Sequence, residues 1–368
     1  MIETSDYRIS FYLNDKSIGD MVRVSTLYLA EDIESVVPYG SLVFEDTDNF
    51  FGTIQLVGGE ILGVELIDKM TEDVDKYTFK VLFVERENSQ TVIIHFVMHK
   101  PGFLEGKKSR AFKSKSVSDV IRHIIRNDQK EPIKKIHIST AQPITNWVQP
   151  FCSDGEFINY LKTKAYYADL YNFYAFYTLD SRFTFRSYQE AIKVDPVMPY
   201  EVADPQIDNK KYFEVMRKFG VRGYVYNIET NQFVEIFTES PSSKESAQYS
   251  LQKEQEKSRT NSVVNLGSTN NFTTTDLSKR VYHLDRDMLR FRYSIPRSFS
   301  AFKLMDTVNL TIKSKLLAQH TEISIDNFNS GIWMVGKIEK QYATSGLVNN
   351  VTFCRKGVDF SEDRVKNV

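Results

Sequence analysis

Cysteine is nearly absent. Cys152 and Cys354 are the only two in 368 residues, too few for a disulfide framework and without zinc-ligand spacing. That excludes a small disulfide-stapled scaffold and fits a reducing compartment. Net charge is missing too: 47 Lys and Arg against 48 Asp and Glu leave a formal charge of -1, so no global electrostatic drive toward nucleic acid or an anionic bilayer is expected. Long apolar runs are lacking. Stretches such as Val92–Met98, with His95 inside, fall far below the roughly 20 residues of a membrane-crossing helix, and no membrane insertion is expected. Met1–Asp6 is polar and acidic, where a secretory leader needs a basic start and an apolar core. Tryptophan, at two residues, is scarce as well.

The templates of catalysis are also missing. There is no GxSxG nucleophile elbow, no GxxxxGK[ST] phosphate loop and no HExxH,. Of the six histidines, His95, His99, His123, His137, His283 and His320, the first two are four apart but lie in a β-patterned stretch, where that spacing separates them on one face. They read as structural. Cys152 precedes a helix start, where a backbone dipole can favour a thiolate, yet no histidine has a reason to pair with it, and it reads as a small packed group. Asp46 with Asp48 and Glu85 with Glu87 are acid pairs of the kind found on any solvated turn, although glycoside hydrolysis needs two carboxylates. The basic run Lys107, Lys108, Arg110, Lys113 and Lys115, near Phe103 and Phe112, reads as a solvated loop before a helix, with a phosphate-backbone contact as the alternative. No catalytic, cofactor-binding or metal-ligating residue is predicted, and no cofactor.

What the chain has is aromatics, 26 Phe and 20 Tyr, which favour pleated surfaces. Residues 7–100 alternate in short runs (Arg8–Leu13, Val22–Leu29, Ser41–Phe44, Ile61–Ile67, Tyr77–Glu85, Gln90–Met98) between turn signals at Pro38-Tyr39-Gly40, Gly58-Gly59 and Asn88-Ser89,. That pattern predicts a small antiparallel barrel or sandwich. Ser116 and Asp119 open a helix over about 116–126, with Val117, Val120, Ile121, Ile124 and Ile125 as its apolar face,. Residues 131–146 read as a connection. Ser153 and Glu156 have capping-box spacing, and Phe157, Ile158, Leu161 and Ala165 follow at helical spacing, which predicts a helix over about 154–168. An aromatic hairpin over 171–188 comes next.

The chain is long enough for two or three domains. The predicted layout is a first β-domain at 1–102, a middle α+β domain at 103–205, a second β-domain at 206–237 plus 281–356, a polar insert at 238–280 that cannot bury much, and a tail at 357–368. Met305–Ile312, Ile332–Lys340 and Leu347–Phe353 repeat the turn, strand and long-hairpin order of the first domain, an internal duplication in layout rather than in residue identity. The fold class expected is α+β, mainly β.

The run Trp147-Val148-Gln149-Pro150-Phe151-Cys152-Ser153-Asp154-Gly155-Glu156-Phe157-Ile158-Asn159-Tyr160-Leu161 with its aromatic hairpin resembles a segment of the baseplate hub proteins of contractile-tailed bacteriophages, related to the hub portion of VgrG spike proteins. Gly40–Asp46 with Gly59–Val64 resembles the early strands of that fold, and Ile332–Glu339 with Val351–Phe353 its closing strands. The resemblance implies two tail-tube-like β-barrel domains with an α+β domain between them. It also implies a non-enzymatic homotrimer forming a pseudo-sixfold ring in the virion tail. The implied partners are the hexameric tail tube or tube-initiator proteins, a trimeric central spike and neighbouring baseplate proteins, with DNA passing through the ring. Unlike VgrG, the chain shows no β-helical spike repeats after its second β-domain, so the spike is expected to be a separate chain. A tail-tip cell-wall hydrolase and a receptor-binding tail module are the alternatives. Interface residues are not assigned by sequence.

Overall fold

In the computed structural model the described residues are 1–4, 6–18, 22–46, 56–88, 90–128, 133–167, 172–208, 221–227, 232–238, 261–265, 289–295, 302–315, 323–326 and 329–355. Strict alternation builds most of the strands. In Tyr7–Leu13 the odd residues Tyr7, Ile9, Phe11 and Leu13 are buried, in Ile61–Asp68 it is Leu62, Val64 and Leu66, and in Thr91–Met98 it is Val92, Ile94, Phe96 and Met98. One apolar face per strand is the signature of an antiparallel sheet with a single core side. The fold is accordingly mainly β within an α+β class.

A 14-stranded sheet dominates. Its hydrogen-bonded path runs Ile2–Glu3, Tyr7–Leu13, Ile61–Asp68, Val74–Arg86, Thr91–Met98, Tyr39–Glu45, Arg23–Asp32, Gly331–Ala343, Thr307–Lys315 and Pro199–Ala203, with Leu289–Ile295 and Gly346–Arg355 branching from it. Two tube-like β units were the expectation; closure of either into a barrel is not seen among the described residues, and the two are joined edge to edge in this one sheet. The physical reason lies in the 13-residue strand Gly331–Ala343. Its first residues pair with Thr307–Leu310, and beyond a bulge at Val335/Lys337 the strand outruns that partner and offers its edge to Thr26–Asp32 of the first unit. An unpaired edge there would leave backbone groups unsatisfied.

The two units repeat one another in register. Val74–Arg86 is bulged between Val81 and Phe83, as Gly331–Ala343 is between Val335 and Lys337. Val81 pairs with Phe96 and Phe83 with His95, while Val335 pairs with Phe353 and Lys337 with Thr352. On the far side of each hairpin, Phe96 pairs with Gly40 and Phe353 with Phe291. On the near side, Lys80 and Phe79 pair with Ile61 and Leu62, and Met334 and Trp333 with Thr307 and Val308. Burial follows suit, with Leu62, Val64 and Leu66 matched by Val308, Leu310 and Ile312.

Between the units in sequence stands a mixed α+β segment. Phe173–Tyr177 and Arg182–Ser187 form the aromatic hairpin, joined in parallel by Lys135–Ile138. The Asp154–Lys164 helix opens on the expected capping box: Ser153 Oγ accepts from Glu156 N at 3.2 Å and Glu156 Oε2 from Ser153 N at 2.8 Å. It stops at Lys164 rather than 168, because Ala165 is extended and Tyr166 exchanges backbone hydrogen bonds with Gln142. Val117–His123 is helical and continues as a π-turn over Ile124–Asp128, with Ser116 accepting from Asp119 N. Two sequence expectations are corrected. The basic run is a strand, Lys108–Ser116, paired with Ile144–Cys152, and the 131–146 connection contains the Lys135–Ile138 strand. Lys113 and Lys115 are exposed on this ribbon whereas Lys108 and Arg110 are half-buried, a division that the even spread of basic residues hides in the sequence.

Most of the predicted insert at 238–280 and all of the predicted tail at 357–368 lie outside the described residues. Within the former, Asn261–Asn265 pairs in parallel with Val221–Asn227, which pairs on its other side with Gln232–Thr238. No helix among the described residues is long and apolar enough to cross a membrane.

Candidate functional site

The place where the parts of the chain meet is the strand Phe173–Tyr177. All five of its residues are buried, so it has no wet face, unlike the strands around it. Its side chains serve two cores. Phe173, Ala175 and Tyr177 join the first cluster with Phe103, Phe157, Leu161, Phe183 and Phe185, whereas Tyr174 and Phe176 join the second with Tyr188, Val202, Phe291, Trp333 and Phe353. Because successive side chains point to opposite faces of a strand, a short run of consecutive aromatics can do this and an alternating strand cannot.

Polar contacts hold the wedge in place. Tyr177 N donates to Val36 O at 2.7 Å and Leu179 N to Glu31 Oε1 at 2.7 Å, while Lys162 Nζ reaches Glu34 O at 3.2 Å. All three acceptors lie on the segment Glu31–Val36, which leaves the junction strand. Burial pushes the Glu31 carboxyl above the usual carboxylate range, against the pull of the Leu179 N–H and the Lys340 charge. Tyr177 is also packed by edge contact with Phe103, at 5.3 Å between centroids, and by Phe183 at 4.9 Å.

Beside the wedge, the sheet junction carries a charged cluster. Glu339, 7% exposed, accepts from the Tyr28 hydroxyl, from Arg292 Nε at 2.7 Å and from Lys337 Nζ at 3.0 Å. Burial alone would raise the Glu339 carboxyl, but these three donors outweigh it and hold it below the ordinary value. Burial and the adjacent carboxylate push the Tyr28 phenol up to about 12. The cluster opens on a cleft of about 630 Å³ lined by Asp32, Glu34, Asp208, Arg290, Arg292 and Lys337 among others. Its charges largely answer one another, as with Arg290 and Asp208 at 3.5 Å. Opposite charges spent in this way fix a geometry.

The residues singled out by sequence scatter. His95 Nε2 lies 3.4 Å from Glu85 Oε2 and its ring stacks on Phe83, and His99 stands one residue beyond that strand. Cys152 is half-buried, and burial, with Glu156 and Asp154 adding to it, pushes its thiol up, the reverse of thiolate activation. Asp46 meets Arg86 at 3.4 Å, whereas Asp48, His283 and His320 lie outside the described residues. Of the basic run, Lys108 and Arg110 turn inward to the fully buried Asp154, each at 2.6 Å. Among the described residues no group of three or more His, Cys, Asp or Glu could hold a metal ion. Sequence missed Glu31, Tyr28, Arg292 and Glu339. The one available signal was the charged pair Lys337 and Glu339 following the apolar run Ile332–Val335 in the strand Gly331–Ala343.

No family model matches the chain, and no curated protein matches its sequence. Solved structures do match. The tail protein from Neisseria meningitidis MC58 is similar with a TM-score of 0.59 at 9% identity, over 96% of this chain and 97% of that one. The 43 kDa tail protein of prophage MuSo2 from Shewanella oneidensis gives 0.55 at 9% identity, over 95% of this chain and 96% of that one. The likeness is one of fold and runs nearly end to end: this chain has the fold of these tail proteins.

Proposed function

We propose that the chain is a structural baseplate hub of a contractile phage tail. In this proposal 1–102 and 206–237 plus 281–356 act as the two tube-like domains, and 103–205 braces them. Three copies form a ring whose six β units face the hexameric tail tube, while its threefold symmetry accepts a trimeric spike, and DNA passes through the opening. A heterologous contact repeated by rotation closes such a ring. The observation that carries the proposal is the in-register repeat of two β units hydrogen-bonded into one sheet, supported by the end-to-end fold likeness to tail proteins. The site of action is the virion tail, and the role requires no cofactor and no chemistry.

Native mass measurement of the purified chain, with imaging of the particle, tests this. Three copies in a ring are expected, and a monomer in both settings would overturn it. A cell-wall hydrolase is disfavoured by the self-neutralised junction, and release of muropeptides from peptidoglycan, abolished by a single Asp or Glu substitution, would reinstate it. A receptor-binding module would display the aromatic hairpin, whose strand Phe173–Tyr177 is instead fully buried.

A further inference from the structure

The ribbon of Lys108–Ser116 and Ile144–Cys152 has one packed face and one exposed face. Trp147 and Gln149 are buried and pair with Phe112 and Arg110, so Val148 and its strand partner Ala111 turn outward. The outward side is apolar where a solvated strand would be polar: Ile144 is 67% exposed, Val148 61% and Phe151 68%. Cations rim these three. Lys113 and Lys115 are exposed on the partner strand, and Lys107 Nζ lies 5.8 Å from the centroid of the Phe151 ring. Among the described residues neither Lys113 nor Lys115 has an ion pair. Single apolar residues on a surface are ordinary, whereas a group of them rimmed by charge marks an interaction site.

A surface of the opposite charge stands on the same chain. The turn between Ile61–Asp68 and Val74–Arg86 presents Glu72 and Asp73, both exposed, beside Val74 at 48% exposure. The cations on either side of it are already spent: Lys69 Nζ lies 2.8 Å from Glu3 Oε1 and Lys76 Nζ 3.2 Å from Glu65 Oε1. Glu72 and Asp73 have no ion pair among the described residues, so no charge pairing joins the turn to the ribbon within the chain. Asp68 holds the turn in shape. Its Oδ1 accepts from Met70 N at 2.8 Å and from Thr71 N at 3.3 Å, its backbone O accepts from Glu72 N at 2.8 Å, and its N donates to Asp73 O at 3.0 Å. A turn fixed in this way loses little conformational freedom on docking.

We infer that the ribbon face of Ile144, Val148 and Phe151 receives the acidic turn at Glu72, Asp73 and Val74 of a second copy of this chain. The inference rests on the ring proposed above and names a contact that closes it. Lys113 and Lys115 answer Glu72 and Asp73, while Val74 adds to the apolar centre. Charges at such a rim select the partner and its register more than they add affinity, which comes from the buried centre. A copy is the fitting occupant because it brings the complementary charge on a preformed turn, one turn for every ribbon. Because the two surfaces differ, the contact is head-to-tail, and repetition by rotation closes it.

Native mass spectrometry of the full chain over a concentration series, at an ionic strength of roughly 0.15 M where charges are felt over about 8 Å, tests the contact by exchanging its charges. The variants are Lys113→Glu/Lys115→Glu, Glu72→Lys/Asp73→Lys and the four changes combined, with Lys16→Glu/Lys193→Glu as a control at exposed positions elsewhere. Three-copy assembly is expected for the unmodified chain and the control. Association should weaken at least tenfold in each reversed pair and recover to within threefold of the unmodified chain when the two are combined. In parallel, carbodiimide coupling of a mixture of light and isotopically heavy unmodified chains should join Lys113 or Lys115 of one copy to Glu72 or Asp73 of another. This second measurement decides the matter if a variant does not fold. No recovery in a folded combined variant, undiminished assembly of either reversed pair, or coupling confined to single chains overturns the contact and leaves the ring standing. An unmodified chain that stays single at every concentration overturns both.

Discussion

The wedge strand makes a strong demand on Phe176. Its ring is 1% exposed and belongs to the second core, although it stands on a hairpin of the middle segment. Phe176→Ala removes the ring and leaves a cavity between units that cannot easily collapse, since sheet and hairpin are each fixed by their own hydrogen bonds. Such truncations cost about 3–5 kcal/mol, which at a urea slope of about 3 kcal/mol/M lowers the midpoint by roughly 1–1.7 M. The two tryptophans supply the assay. Trp333 lies in the second core with Phe176, and Trp147 lies in the ribbon of the middle segment. In a Trp147→Phe background, fluorescence follows the second unit alone while far-ultraviolet circular dichroism follows the whole chain. If one strand couples both cores, Phe176→Ala shifts the Trp333 transition by that amount although residue and probe belong to different segments. A shift below about 1 kcal/mol, or a Trp333 signal that ignores the substitution while the rest of the chain melts early, would refute the wedge.

Further outcomes follow from neighbouring contacts. The Glu31 carboxyl is raised in the fold, so its contribution is favourable below the unfolded carboxylate pKa and is lost as pH rises through the folded value. Glu31→Gln, which can still accept from Leu179 N, should therefore gain on the order of 1 kcal/mol at pH 7 and nothing near pH 3. Melting curves at both pH values check this, and a variant weaker at pH 7 than near pH 3, relative to the native chain, would refute it. Asp154→Asn strands the inward-turned Lys108 and Arg110. Since both cations are partly exposed, the loss should be about 2–3 kcal/mol, at or below the foot of the range of about 3–5 kcal/mol for a broken buried pair, read by chemical denaturation. At Gly40 a Cβ would sit 2.1 Å from Tyr28 O and 2.8 Å from the Phe96 ring. Gly40→Ala should accordingly cost more than about 2 kcal/mol, and a melting temperature unchanged from the native chain would show that the strands can part there.

Much of the architecture was legible in the chain because period-2 burial needs no distant partner to be visible: Val92, Ile94, Phe96 and Met98 fall inward by alternation alone. The capping box at Ser153 and Glu156 is equally local. Lys108 and Arg110 were misread, since nothing nearby in sequence announces that Asp154, more than forty residues on, will be buried against them.

Sequence by itself determined the strands, the capped helix, the order of the repeat and the scarcity of anything resembling a catalytic set, all of which follow from side-chain periodicity and local backbone preference. Tertiary structure alone decided that the two β units share one sheet and that the aromatic hairpin feeds two cores at once. Those facts depend on which strand edge is left over after local pairing is complete, and an edge is a property of neighbours in space rather than of residues in line.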